Sequence, residues 1–213
     1  MTGLAPQQHW ILVMAAGQSR RFGSDKRRAQ VPGSDRALLE TTLLTLCTVQ
    51  WPMLIALRPG DDGLWTELKE SLSLPLGTAV CYPEDAALGL GHTVSYLAME
   101  ALDRGCSHAL MALGDMPSIT APTLRVLATT LAAQPSSPRR IVRPRHNGVP
   151  GHPIGINAPV LDLMTDLAGE RGAGQLLRRY HSDTLWLAVD DPGIGQDVDH
   201  PQDLQALPGT RRP

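Results

Sequence analysis

Residues 10–26 read WILVMAAGQSRRFGSDK and join a short apolar run to a loop of small and cationic residues. The run at 10–14 reads as a strand, and comparable runs recur along the chain. They alternate with longer segments whose apolar residues have helical spacing, a pattern typical of βαβ units. The sequence therefore predicts the α/β class: a single doubly wound, mostly parallel sheet with helices on both faces.

Seven strands and seven helices are expected from this pattern. The strands are predicted at residues 10–14, 53–57, 78–82, 108–113, 140–145, 155–157 and 184–189. The helices are predicted at residues 37–49, 64–72, 93–102, 120–133, 159–167, 174–180 and 201–207. Ligands of open α/β sheets bind outside the carboxyl ends of the strands, so the loops that follow the first and fourth strands are the places to look for a site.

Size and composition exclude several classes of protein. A chain of 213 residues with 42% hydrophobic residues predicts one domain, residues 1–213, with its core at about 9–207. The net charge of -2 argues against a nucleic-acid partner. Residues 1–8 lack the features of a signal peptide, and no apolar stretch is long enough for a bilayer, so we expect a cytoplasmic protein with no membrane partner. Three widely separated cysteines suggest buried thiols rather than disulfides or a zinc site.

The loop after the first strand has the character of an anion cradle. The small residues Ala15, Ala16 and Gly17 let backbone N–H groups approach a polyphosphate, and Arg20, Arg21 and Lys26 would supply charge-assisted contacts. The loop has neither the Walker A pattern nor the GxGxxG pattern. The alternative is a solvated turn between strand and helix. The only phenylalanine, Phe22, is expected to anchor the loop to the core.

Lysine is rare in this chain. Of 19 cationic residues only Lys26 and Lys69 are lysine, so 17 are arginine. A lysine kept in such a chain indicates a site that needs a compact ammonium group.

The sequence Gly114-Asp115-Met116-Pro117 follows the fourth strand and contains a second candidate site residue. Asp115 stands where a buried strand ends, which suits a carboxylate that holds Mg²⁺ against phosphate oxygens. The alternative is that Asp115 forms a turn or caps a helix. Taken with the first loop, it points to a nucleotide site that contains a divalent metal.

Several motifs together resemble the nucleotidyltransferases of the molybdenum cofactor group, which include cytidylyltransferase and guanylyltransferase branches. They are Ala-Ala-Gly-x-Ser-x-Arg-x-Gly-x-x-Lys, Gly-Asp-Met-Pro, a Gly-His-Pro segment and a terminal Asp-x-Asp-x-Pro-x-Asp-Leu, and they span about residues 11–204. The resemblance implies a Rossmann-like nucleotidyltransferase fold. It also implies a reaction in which an acceptor phosphate attacks the α-phosphorus of an NTP and pyrophosphate leaves.

The resemblance also implies roles for individual residues. Lys26, Arg20 and Asp115 would be catalytic, with Asp115 on Mg²⁺ and Asp197 or Asp199 as a second metal ligand, although Asp199 could instead cap the helix at residue 201. The residues implied in nucleotide binding are Ala15, Ala16, Gly17, Arg21, Gly23, Pro83, Asp85, Gly89, Gly91 and Thr93. Gly151 and His152 would contact the acceptor. His92-Thr93 and Glu170-Arg171 depart from the family pattern.

The substrate expectation follows from the first motif. Ala15-Ala16 resembles the cytidylyl branch, whereas the guanylyl branch has Gly-Gly there, so CTP is favoured as donor and molybdopterin as acceptor. A molybdenum hydroxylase would receive the product. The first alternative is an enzyme of the same fold that uses GTP or another NTP, with a sugar phosphate, a phospholactate or an isoprenoid-precursor phosphate as acceptor. The second alternative is a binding module that handles nucleotide or cofactor without turnover.

Overall fold

A computed structural model of the chain describes residues 8–136 and 138–207. Residues 1–7, which belong to the stretch that lacks signal-peptide features, lie outside the described residues. The described strands are β1 His9–Met14, β2 Met53–Ala56, β3 Ala79–Cys81, β4 His108–Leu113, β5 Ile141–His146, β6 Val149–Pro150, β7 Ile154–Asn157 and β8 Thr184–Ala188.

One sheet contains all eight of these strands. Its order is β3-β2-β1-β4-β7-β5-β6, with β8 paired to β5. The pairs among β1, β2, β3 and β4 and the pair β5–β8 are parallel, whereas β7 is antiparallel to both β4 and β5. The carboxyl ends of β1, β4, β5 and β8 therefore lie at the same edge. The predicted α/β fold with a mostly parallel sheet is confirmed.

Helices cover both faces of the sheet. They are α1 Leu38–Leu46, α2 Asp62–Ser71, α3 Leu90–Asp103, α4 Ala121–Ala132, α5 Ala158–Asp162, α6 Gly174–Arg179 and α7 Pro201–Gln205. One core packs α3, α5 and α6 on one face, and a second packs α1, α2 and α4 on the other. Strand β1 sends Leu12 to the first core and Ile11 and Val13 to the second, which explains its continuous apolar sequence.

The predicted helix at 159–167 is wrong in length, because α5 ends at Asp162. The backbone N–H and the hydroxyl of Thr165 both donate to the carbonyl of Asp162, three residues back, and this tightens the chain into turns. Two shorter corrections apply elsewhere. Helix α3 begins at Leu90 rather than residue 93. Part of the stretch between the strands predicted at 140–145 and 155–157 forms the short strand β6.

The expectations about the cysteines agree with the structure. Cys47, Cys81 and Cys106 are free and buried. Burial raises the pKa of the Cys81 and Cys106 thiols to about 12, which keeps them protonated at neutral pH. Among residues 8–136 and 138–207, none of the helices is long and apolar enough to span a membrane.

Candidate active site

A cleft of about 530 Å³ opens at the carboxyl ends of β1 and β4. Its volume is in the range of small-molecule sites. Eleven of the residues predicted from the sequence line it together: Ala15, Ala16, Gly17, Arg20, Arg21, Lys26, Gly89, Thr93, Asp115, Asp197 and Asp199. The fold thus brings the loop after β1, the loop after β4, the start of α3 and the segment before α7 to one place.

Lys26 is the central charge of the cleft. Its Nζ donates to Asp115 Oδ2 at 2.6 Å, to the carbonyl of Val198 at 2.7 Å and to Asp199 Oδ1 at 3.2 Å. The Lys26 side chain is only 14% exposed. Segment 197–199 is held against the loop after β4, because the N–H of Val198 donates to the carbonyl of Asp115 at 3.0 Å.

Burial and charge shift the pKa values of these groups. Burial alone would lower the pKa of Lys26, but the carboxylates of Asp115 and Asp199 outweigh burial and raise it. Burial raises the pKa of Asp115, and Asp197 and Asp199 act in the same direction, while Lys26 opposes them. Asp199 is less buried, so Lys26 and Arg21 lower its pKa. Asp199 Oδ2 also accepts from Arg21 at 2.6 Å.

Asp199 does not cap α7, which corrects one alternative drawn from the sequence. The N-cap of α7 is His200, and the carboxylate of Asp203 in the first turn accepts from the N–H groups of Asp199 and His200. The Asp199 side chain is therefore free to face Lys26.

One oxygen of Asp115 fits a divalent cation. Asp115 Oδ1 is buried and has no hydrogen-bond partner, which is a costly state for a carboxylate oxygen. Asp197 is near enough to raise the pKa of Asp115. Within the part of the chain that the structure describes, no three His, Cys, Asp or Glu side chains form a ready metal site. Metal binding here would thus need ligand oxygens from a bound phosphate as well as from protein carboxylates.

A buried arginine that the sequence reasoning missed supports the loop after β1. The Arg27 side chain is 5% exposed, and it bonds to both oxygens of Asp25 at 2.8 Å. It also bonds to both oxygens of Asp61, one of them at 3.1 Å. A further N–H donates to the carbonyl of Ala15 at 3.1 Å. Arg27 thereby holds Ala15, the first residue of the loop, in place.

Arg58 fixes the same loop two residues further on. Its Nε donates to the carbonyl of Gly17 at 3.0 Å, and its NH2 donates to the hydroxyl of Ser19 at 3.2 Å. The backbone N–H of Arg58 donates to Asp61 at 2.9 Å, which connects it to the Arg27 network. The carbonyls of residues 15 and 17 are thus both held by arginines, which fixes the backbone of the loop at two points.

Glycines at the start of α3 allow a close approach of two backbones. Gly89 has φ 133° and lies against the backbone of Gly169, where an added Cβ would come within 2.5 Å. The N–H of Gly91 donates to the carbonyl of Gly169 at 2.8 Å. This contact brings Glu170, which sequence reasoning did not place in the site, to the wall of the cleft.

Six of the predicted site residues do not line the cleft: Gly23, Pro83, Asp85, Gly91, Gly151 and His152. Pro83 and Asp85 belong to the turn that presents Ala86 and Ala87 to the cleft instead. Gly151 is packed against Ile194, and its carbonyl accepts from Arg143 Nε at 3.2 Å. Burial lowers the pKa of His152 to about 4, so its ring is neutral at pH 7 and carries no charge for an acceptor phosphate.

Comparisons with known proteins identify the family and the fold. A family model described as a MobA-like NTP transferase domain matches residues 11–197. The chain is 27% identical over 193 residues to the molybdenum cofactor cytidylyltransferase of Escherichia coli (strain K12), across 91% of this chain and 92% of that protein. It superposes with a TM-score of 0.75 on a homolog of Rv0371c from Mycobacterium sp. strain JC1, at 25% identity over 94% and 95% of the two chains. The manganese complex of Rv0371c from Mycobacterium tuberculosis H37Rv gives a TM-score of 0.74 at 24% identity over 96% and 100%.

Proposed function

The chain belongs to the family of MobA-like NTP transferase domains and is a nucleotidyltransferase, and from this premise we propose that it transfers CMP from CTP to the phosphate of molybdopterin. The observation that carries the proposal is the position of Lys26, which stands between Asp115 and Asp199 in a cleft whose loop is built to receive an anion. A phosphate oxygen of the acceptor forms the new bond to the α-phosphorus. The bond from that phosphorus to the β-phosphate oxygen breaks, and pyrophosphate leaves.

Positioning and charge neutralisation account for what the protein contributes. The N–H groups of the loop, whose carbonyls accept from Arg27 and Arg58, would bind the triphosphate. Arg20 and Lys26 would balance the charge that grows on the pyrophosphate. Asp115, with Asp197 or Asp199, would hold Mg²⁺, which withdraws charge from phosphate oxygens when bound. The manganese complex of Rv0371c is a protein of the same fold that takes a divalent cation.

The choice of CTP rests on Ala15-Ala16 and on the cytidylyltransferase from Escherichia coli that the chain resembles. Ala15 and Ala16 both line the cleft, where two glycines would give a different contour beside the base. Discrimination between bases can be large when a mismatched base leaves polar groups unpaired. Thr93 also lines the cleft, at the start of α3.

Release of pyrophosphate tests this function directly. Each of the four NTPs is incubated with the protein and Mg²⁺, with and without purified molybdopterin. We expect pyrophosphate to be released from CTP and not from the other three NTPs, and only when molybdopterin is present. Preference for GTP, or equal use of all four, would remove the cytidylyl assignment. Release that requires a sugar phosphate or another phosphorylated acceptor would change the acceptor, and binding without any release would identify a binding module.

A further inference from the structure

Apart from Arg20 and Arg125, which form no ion pair, the arginines in the described part of the chain fall into two groups by their partners. Within residues 8–136 and 138–207, every arginine that forms an ion pair lies before residue 105: Arg21, Arg27, Arg28, Arg36, Arg58 and Arg104. Segment 139–179 contains seven more arginines, and none of them has a carboxylate partner in the described part of the chain. Unpaired cations gathered in one region indicate a surface that meets an anion from outside.

Two of these arginines share a face and an edge of the sheet with the cleft. Arg143 and Arg145 follow Ile141 at even spacing along β5, and Ile141 belongs to the core under α3, α5 and α6. The cleft opens on that same side, between β1 and the start of α3. Along the sheet, β7 lies between β4 and β5, so these two strands are about 10 Å apart, which is two strand spacings.

Arg143 is held in place without being neutralised. Its Nε donates to the carbonyl of Gly151 at 3.2 Å, and the rest of the guanidinium has no carboxylate partner among the described residues. Burial lowers the pKa of Arg143, because no anion offsets the loss of water. The group nevertheless stays charged, as arginine does in proteins. His152, whose Nδ1 is buried and lacks a hydrogen-bond partner, lies close enough to feel this charge.

Arg145 extends the same surface. Its guanidinium lies over the ring of Trp186, 5.6 Å from the ring centre, and Trp186 pairs with Arg143 across the parallel strands β5 and β8. Beside it, a cavity of about 430 Å³ opens at the carboxyl ends of β5 and β8, with Arg145, His146, Asn147 and Asp190 in its wall. The region thus offers two cations, an aromatic surface and space for a small molecule.

We propose that Arg143 and Arg145, with Trp186 beside them, form the subsite for the phosphomonoester of the acceptor. This inference rests on the nucleotidyltransferase function proposed above, and it moves acceptor binding from Gly151 and His152 to the two arginines of β5. Any acceptor of this reaction must bring a phosphate toward the triphosphate, so its binding surface needs cations of its own. The subsite lies within reach of the cleft that contains Lys26 and Asp115.

Inorganic phosphate is the probe that tests the subsite without turnover. The full chain is loaded with Mg²⁺ and an α,β-methylene analogue of CTP, so that the triphosphate loop is occupied, and phosphate is then added. Binding is followed through Trp186 fluorescence, obtained as the difference between the parent and a Trp186→Phe variant. We expect Arg145→Gln and Arg143→Gln to bind phosphate about tenfold or more weakly, as the loss of a charge-assisted hydrogen bond implies.

A matched control is Arg179→Gln, which removes another unpaired arginine that lies over an aromatic ring, here Tyr180 at 6.0 Å. It should bind phosphate like the parent. Affinity for CTP, measured by calorimetry, should be unchanged in all three variants, and their thermal unfolding shows whether the fold is intact. In the turnover assay, the two β5 variants should raise KM for the acceptor and leave KM for CTP unchanged.

The outcomes separate this inference from the proposed function. Absence of a phosphate response in the parent, or equal phosphate affinity in the parent and both β5 variants, would overturn the subsite even if CTP turnover is normal. Loss of phosphate affinity with unchanged affinity for CTP would support it. A parent that binds phosphate at β5 but never consumes CTP would keep the subsite and contradict the cytidylyl function.

Discussion

The guanidinium of Arg27 reaches under the loop after β1 and bonds to the carbonyl of Ala15 at 3.1 Å, twelve residues back along the chain. Arg27, which directly follows Lys26, therefore holds in place the first residue of the loop in which Lys26 is the last residue. Because Asp25 and Asp61 occupy the other N–H groups of Arg27, this buried cation has partners on three segments.

Arg27→Met should destabilise the protein by about 3 kcal/mol, because it leaves Asp25 and Asp61 without their counter-charge. It should also weaken CTP binding, since the carbonyl of Ala15 loses its donor. Urea unfolding and calorimetry measure the two effects. The matched control is Arg28→Met, which removes an exposed ion pair with Glu67 and should cost less than about 1 kcal/mol. Equal losses in the two variants would contradict the support assigned to Arg27.

Lys26→Arg should lose activity almost as severely as Lys26→Ala, although it keeps the charge. The ammonium group fits among three oxygens, from Asp115, Val198 and Asp199, in a space that is largely buried. A planar guanidinium needs a different arrangement of acceptors. The control is Lys69→Arg, where Lys69 lies 5.3 Å over the ring of Trp65 on the surface of α2 and activity should not change. A kcat for Lys26→Arg within about twofold of the parent, roughly 0.4 kcal/mol, would remove the special role of Lys26.

Asp115→Asn should reduce kcat by about 10²-fold or more at millimolar Mg²⁺, because the amide cannot supply the charge that holds the cation. The free energy of unfolding should change little, since burial already disfavours the ionised form of Asp115. Circular dichroism and urea unfolding check the fold, and pyrophosphate release checks turnover. Normal turnover by this variant would exclude Asp115 from the metal site. Asp103→Asn, on the exposed end of α3, serves as the control.

The free energy of unfolding should fall as pH falls from about 6.5 to 4, and His152 should contribute to that fall. Burial lowers the pKa of His152 to about 4, whereas the unfolded chain has the ordinary value near 6.5. Between these two pH values His152 is protonated in the unfolded chain but not in the folded protein, and this difference lowers the free energy of unfolding by up to about 3 kcal/mol. Urea unfolding of the parent and His152→Gln at several pH values tests this. The variant should show a shallower slope, with the remainder due partly to His9 and His108, whose pKa values burial also lowers. Parallel slopes would contradict the prediction.

The sequence predicted the fold well because its signals are local. Strands β1 and β4 each consist largely of a short apolar run, which the sequence shows directly. The start of helix α4 is indicated by Thr120 and Pro122. Strand direction in the second half is not a local property. The sequence near residue 154 contains no signal that β7 pairs antiparallel with β4, because the pairing depends on residues more than 40 positions away.

Site residues that stand in a recognisable motif could be predicted from the sequence. Residues whose role depends on burial in the folded protein could not. Lys26 and Asp115 stand in recognisable segments, and the fold places their side chains 2.6 Å apart. Arg27 and Arg28 are neighbours in a chain that has 17 arginines, yet one is buried and the other exposed. Their difference arises from Asp61, which lies beyond β2, so no spacing along the chain could reveal it.

The distance along the chain between the partners of Lys26 has a consequence for how the protein matures. Asp115 and Asp199 are 89 and 173 positions from Lys26, so the charges of the cleft meet only after very large loops have closed. When a nascent chain has emerged from the ribosome as far as β4, it contains the loop after β1. Segment 197–199, which contacts Lys26 in the folded protein, has not yet been synthesised. Nucleotide affinity should therefore appear late in folding, after the sheet has formed, and contacts of such long range make that final closure slow compared with helix formation.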